Sequence, residues 1–114
     1  MSTADDHSRE NAERYFLIFL KMVPGKTLSP DVLELHAAHL AELDRSGRLV
    51  LAGPIPERLG GLIALRVASL ADAKAVAEED PLVRGGYQTY ELGTWLMSNH
   101  QNGYRPDPPQ EHEK

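Results

Sequence analysis

Apolar residues along the chain fall into six groups with two different periods. Tyr15-Phe16-Leu17-Ile18-Phe19-Leu20-Lys21-Met22 is an almost continuous run of aromatic and branched residues, the pattern of a strand in the middle of a sheet. Val23-Pro24-Gly25-Lys26 breaks it. Ser29-Pro30-Asp31 then has the signature of a helix start: a capping hydroxyl, proline at the first helical position, and an acid in the first turn. At roughly 100° per residue, Leu33, Val32, His36, Leu40 and Leu43 share one arc, flanked by Leu35 and His39. The helix is expected to run to Ser46, where Gly47 stops it. Both histidines therefore face the sheet.

Arg48 to Ala52 predicts a short strand ending at Gly53-Pro54, followed by a turn-rich stretch to Gly60. Gly61 to Val67 predicts a third strand. Ser69-Leu70-Ala71-Asp72 has the form of a capping box and opens an alanine-rich helix that Pro81 ends after Glu79. Val83 to Gly86 is a turn region, and Gln88 to Trp95 a fourth strand. Strand, helix, strand, strand, helix, strand is the ferredoxin-like βαββαβ order, an α+β fold with a four-stranded antiparallel sheet and both helices on one face. Two helices leave the other face bare, so a second copy of the chain is the natural cover and a homodimer is expected. Residues 1–13 lack apolar periodicity and read as a flexible N-terminal arm, 14–97 as the folded domain, and 98–114, with Pro106, Pro108 and Pro109, as a flexible C-terminal tail.

Composition narrows the function classes. A length of 114 residues suits one domain. Residues 1–13 carry a net −3 and 98–114 a net −1, which leaves only −1 of the chain's −5 for 14–97. The folded part is near neutral, with no basic patch to hold nucleic acid. Without cysteine there is no disulfide framework, thiolate metal site or cysteine nucleophile. The longest apolar run is far too short to span a bilayer, and the polar, acidic start is unlike a targeting peptide. A cytoplasmic protein without a membrane partner is expected.

Candidate chemistry lies in a few residues. His39 reads either as a general acid or base or as a core histidine satisfied by a backbone group. His36 lies on the same helix face, as a cleft-lining residue and candidate substrate anchor. Two imidazoles do not make a metal site and no third ligand is signposted, so no metal is expected. Asp80, after Glu78 and Glu79, sits where the negative end of a helix dipole disfavours an acid; a histidine partner would offset that. Gly53 and Pro54 could form a cleft wall or simply end a strand. Gly60-Gly61 lacks the lysine of a phosphate loop, and with no other nucleotide fingerprint no cofactor is expected. Trp95 suits an interface, Ser46 and Ser69 suit caps, and His7, His100 and His112 fall in the solvated tails.

His39-Leu40, Gly47-Arg48-Leu49, Ala52-Gly53-Pro54, Ser69 with Ala73, Asp80-Pro81 and Gly86, in that order, resemble the YCII-related (YciI-like) domain family over roughly residues 15–97. The resemblance implies a dimeric ferredoxin-like fold of the dimeric α/β-barrel superfamily. It also implies an active-site pair of His39 and Asp80, and enzymatic work on small ring compounds. The chain departs from many relatives at position 36, where they carry arginine; a cationic anchor for an anionic substrate is lost there or made pH-dependent. The reading that follows is a cofactor-free isomerase- or lyase-like enzyme acting on a small molecule. The alternative is a non-catalytic metabolite-binding or accessory protein of the same fold.

Overall fold

Strand β1, Arg14–Met22, alternates strictly: Phe16, Ile18 and Leu20 are buried while Leu17 and Tyr15 are half-covered and Phe19 is open. That alternation assigns its two faces, and the rest of the fold is arranged on them. In the computed structural model, which describes residues 13–106, β1 is followed by α1 (Pro30–Arg45), β2 (Leu49–Ile55), a 3₁₀ turn at Pro56–Arg58, β3 (Gly60–Leu65), α2 (Leu70–Glu79), α3 (Pro81–Arg84), β4 (Gln88–Leu96) and a second 3₁₀ turn at His100–Asn102. The strands are ordered β2-β3-β1-β4, every neighbour antiparallel, as the βαββαβ reading requires.

Register builds the core. Ile18 stands opposite Ile63 on one side and Leu92 on the other, and Phe16 opposite Leu65. Leu43 from α1 and Ala73, Val76 and Ala77 from α2 close over them. Each large side chain buried this way contributes roughly 1.5–3 kcal/mol. The small alanines let α2 lie close to β1 and β4. Local chemistry sets the helix ends. Ser29 Oγ accepts from the Val32 N–H at 3.2 Å and Ser69 Oγ from the Asp72 N–H at 3.1 Å. Gly47, at φ +81°, turns the chain out of α1.

Three stretches differ from the sequence reading. β2 does not end at Gly53-Pro54 but continues through them to Ile55. It is an edge strand, where a residue without an N–H is tolerated. Pro81 ends α2 as expected but also begins the single-turn helix α3 rather than an irregular turn. The expected tail from Ser98 holds a closed turn: the Asn99 and Asn102 side chains each accept from the other's backbone N–H, at 3.1 and 3.0 Å. Of the arm expected over 1–13 only Glu13 is described, and His7 and His112 lie outside the described residues. Among the described residues, no helix is long and apolar enough to cross a membrane.

The sheet face away from the helices carries Tyr15, Leu17 and Phe19 with Leu62 and Ala64 beside them from β3, Leu51 from β2 and Trp95 from β4. Leu51, Trp95 and Phe19 are 68%, 49% and 42% exposed.

Candidate functional site

Helix α1 crosses the helix side of the sheet above β2, and its second turn brings His36 towards the junction of α2 and α3. Asp80 is that junction. Its backbone ends α2, with its N–H on the Ala77 carbonyl at 3.2 Å. Its side chain caps α3, with Oδ1 accepting from the Leu82 N–H at 2.9 Å. An acid poorly placed at the end of one helix is thus well placed at the start of the next. The side chain is fully buried, which a carboxylate tolerates only with partners.

The histidine that meets it is His36, not His39. His36 Nδ1 lies 2.9 Å from Asp80 Oδ1. The expected His39–Asp80 pair does not form. His39 Nε2 is enclosed with no hydrogen-bond partner among the described residues, and so is Asp80 Oδ2. Helix geometry gives the reason. Three residues turn the helix by about 300° and advance it about 4.5 Å, so only one of the two imidazoles can reach an acid anchored at a fixed junction. A carboxylate oxygen only accepts, so the proton of the neutral imidazole is held on Nδ1 and Nε2 keeps its lone pair.

The His36 imidazole is 18% exposed and lines a cleft of about 230 Å³ between α1 and the β2–β3 edge of the sheet. The helix wall is apolar, with Leu33 and Leu40; Leu20 and Leu82 close the cleft further in. The sheet wall includes the small or cyclic residues Ala52, Gly53, Pro54 and Gly61, beside Leu62 and Ile63. Gly61 and Ala52 take the helix-side positions that neighbouring strand residues fill with Ile63 and Leu65, and the missing side-chain volume is the cleft. Gly61 is also needed for close approach, since a Cβ there would stand 2.9 Å from the Gly53 carbonyl oxygen. Of the expected site residues, the fold therefore brings His36, Gly53, Pro54 and Asp80 together and leaves His39 outside the pair.

One polar residue of the cleft escaped the sequence reading. Gln88, the first residue of β4, lines it and is 7% exposed. Its Nε2 donates to Met22 Sδ at 3.2 Å, and its Oε1 is buried without a partner among the described residues. The available signal was parity: Gln88 stands two and four residues before Tyr90 and Leu92, on their face of the strand. A larger groove of about 400 Å³ lies on the opposite sheet face beside Phe19, with Lys21, Arg58 and Glu91. It contains no histidine, and the imidazole–carboxylate chemistry is confined to the smaller cleft.

A family model described as the YCII-related domain matches residues 15–96 of this chain. No curated protein matches it in sequence. Among solved structures, the chain is similar to 5-chloro-2-hydroxyhydroquinone dehydrochlorinase from Burkholderia phenoliruptrix AC1100, in its complex with 2,5-dihydroxybenzoquinone. The two are 22% identical, with a TM-score of 0.57, over 75% of this chain and 97% of that one. At that identity the likeness is one of fold.

Proposed function

This chain belongs to the YCII-related domain family, and from that premise we propose that it is a small-molecule enzyme in which His36, held by Asp80, moves a proton on a ring-containing substrate bound in the α1–sheet cleft. The observation that carries this reading is the 2.9 Å contact between a fully buried carboxylate and Nδ1 of His36, whose imidazole lines an apolar cleft. Asp80 orients the imidazole and stabilises the imidazolium that forms when Nε2 takes a proton, the part a carboxylate plays beside any catalytic histidine. The chemistry needs no electron acceptor. A proton leaves a C–H or O–H of the substrate for Nε2, and the freed electron pair either shifts within the ring system, as in isomerisation, or expels a leaving group, as in elimination. The proton is then returned to substrate or solvent. The solved neighbour of the same fold is named for a reaction of the second kind on a hydroxylated ring.

The same reading assigns the bare sheet face to a second copy of this chain. Its partly covered Tyr15, Leu17 and Leu62 and exposed Phe19, Leu51 and Trp95 make an apolar surface of the kind that marks an interaction site.

The test is turnover of a panel of hydroxylated and chlorinated single-ring compounds, followed by chromatography and mass spectrometry. His36→Ala should lower kcat by roughly 10²–10⁴-fold, the usual worth of a positioned acid or base. His39→Ala should stay within a few-fold of the wild type. An active His36→Ala variant would sink the assignment. A compound that binds the wild type and is recovered unchanged throughout the panel would support the alternative of a metabolite-binding protein.

A further inference from the structure

We infer that Gln88 is the donor-selecting residue of this cleft, its Oε1 receiving a hydrogen bond from a second hydroxyl or N–H on the ring that His36 engages. The inference rests on the cleft being the ligand site proposed above, and adds to it a class of ligand: single rings carrying two hydrogen-bond donors.

Three observations carry it. A thioether sulfur accepts but does not donate, so the contact with Met22 Sδ fixes which end of the amide is which: nitrogen towards the sulfur, oxygen left over. That oxygen is buried, with no donor from the described residues. Buried carbonyl oxygens are satisfied in the great majority of proteins, and an orphan calls for a partner supplied from elsewhere. The residue also lines the same cleft as His36, and that imidazole, with its Nδ1 proton committed to Asp80, offers a lone pair at Nε2. Both polar side chains lining the cleft therefore keep an acceptor that no hydrogen bond of the described residues uses, within walls that are otherwise apolar. A ligand that satisfies both must bring two donors, and one that brings ether oxygens or carboxylates in their place meets lone pairs with lone pairs. At about 230 Å³ the cleft falls below the roughly 300–1,000 Å³ of pockets for drug-sized molecules, which suits one ring and its substituents. Gln88 touches substrate in this scheme but takes no part in the proton transfer.

Hydroquinone and its monomethyl ether, 4-methoxyphenol, separate the two acceptors. Both probes would be titrated calorimetrically into the full-length protein and its variants. The wild type should bind hydroquinone about tenfold or more tightly than the ether, because the ether leaves one buried acceptor unpaired. In Gln88→Met only the His36 acceptor remains, which the single hydroxyl of the ether also satisfies, so the ratio should collapse to about twofold or less. Gln88→Glu, which keeps an acceptor oxygen, should restore it. Equal weakening of both probes in Gln88→Met, with the ratio unchanged, would reduce Gln88 to a packing residue and overturn the inference while leaving the role of His36 intact. Failure of the wild type to bind either probe would overturn both readings. Should Gln88→Met not fold, Gln88→Leu decides: it also removes the acceptor, and a ratio that does not fall there overturns the inference.

Discussion

Asp80 Oδ1 receives two hydrogen bonds, one from the Leu82 N–H and one from His36 Nδ1, in a site closed to water. Truncation to alanine would strand both donors. Hydrogen bonds to a charged acceptor are worth about 1.5–3 kcal/mol each and are not additive, so Asp80→Ala should destabilise the fold by about 3 kcal/mol in urea unfolding. Asp80→Asn separates structure from chemistry. Its amide oxygen can still cap Leu82, so the loss of stability should be no more than about half as large. That same oxygen also accepts from His36 Nδ1, while the amide nitrogen takes the partnerless Oδ2 position and the negative charge that stabilises the imidazolium is lost. Turnover should fall in Asp80→Asn, whereas the Nδ1 proton signal of His36 in NMR spectra should vanish only in Asp80→Ala; a signal that persists in the alanine variant would contradict the pairing. Little of this is legible along the chain. That Asp80 needs a cationic or donor partner follows from its place after Glu78 and Glu79. Which histidine supplies the partner depends on how far α1 slides along the sheet, a matter of packing between Leu40, Leu43 and the strands that no local pattern encodes.

Between elements, the tie of α2 to β4 is electrostatic on its outer side. Tyr90 Oη donates to Glu78 Oε2 at 2.7 Å, and Lys74 Nζ stands 3.2 Å from the same oxygen. The Tyr90 hydroxyl, and then Lys74, hold the Glu78 carboxyl below its ordinary value; the bond to Glu78 raises both Tyr90 and Lys74. The signs follow. With a depressed folded value, Glu78 contributes stability above the ordinary carboxylate range and loses it as pH falls through the folded value. With raised folded values, Tyr90 and Lys74 contribute below their ordinary values, and lose that as pH rises through the folded ones. All three groups are exposed, so the effect is small and screened by salt. The difference in unfolding midpoint between wild type and Glu78→Gln should therefore be greatest at neutral pH and low salt, and shrink in acid, in strong base and in high salt. A difference independent of pH and salt would place the tie in packing instead. The elements themselves were readable because periods of 2 and 3.6 are local. The run of β2 through Pro54 was not, since only its edge position, a property of the whole sheet, makes a proline acceptable there. Gln88 was missed for a similar reason: its parity marks it as facing inward, but the cavity it faces exists only once α1 is laid over Ala52 and Gly61.

For the molecule as a whole, the sheet divides the chain into a closed side and an open one. The helix side has its core and its cleft. The other presents Phe19, Leu51 and Trp95 to solvent, with the Arg66 guanidinium 5.6 Å from the Tyr15 ring centre at one end. Under the proposed dimer this face is covered by its own copy. Sedimentation at micromolar concentration should then give twice the mass of one chain, and the Phe19→Glu, Trp95→Glu double variant should give one chain with its unfolding still cooperative. Trp95 emission in the wild type should shift to longer wavelength on dilution. A wild-type chain that sediments singly at all concentrations would leave the face to another partner.

The seam at Asp80 has a consequence for descent. One carboxylate serves the architecture through Leu82 and the chemistry through His36, so the two demands erode at different rates. A lineage that abandoned turnover but kept the shape would retain the acid and be free to discard the imidazole. Among cousins of this chain, an aspartate at this position with no histidine at either position 36 or position 39 would then mark a retired enzyme, readable from letters alone.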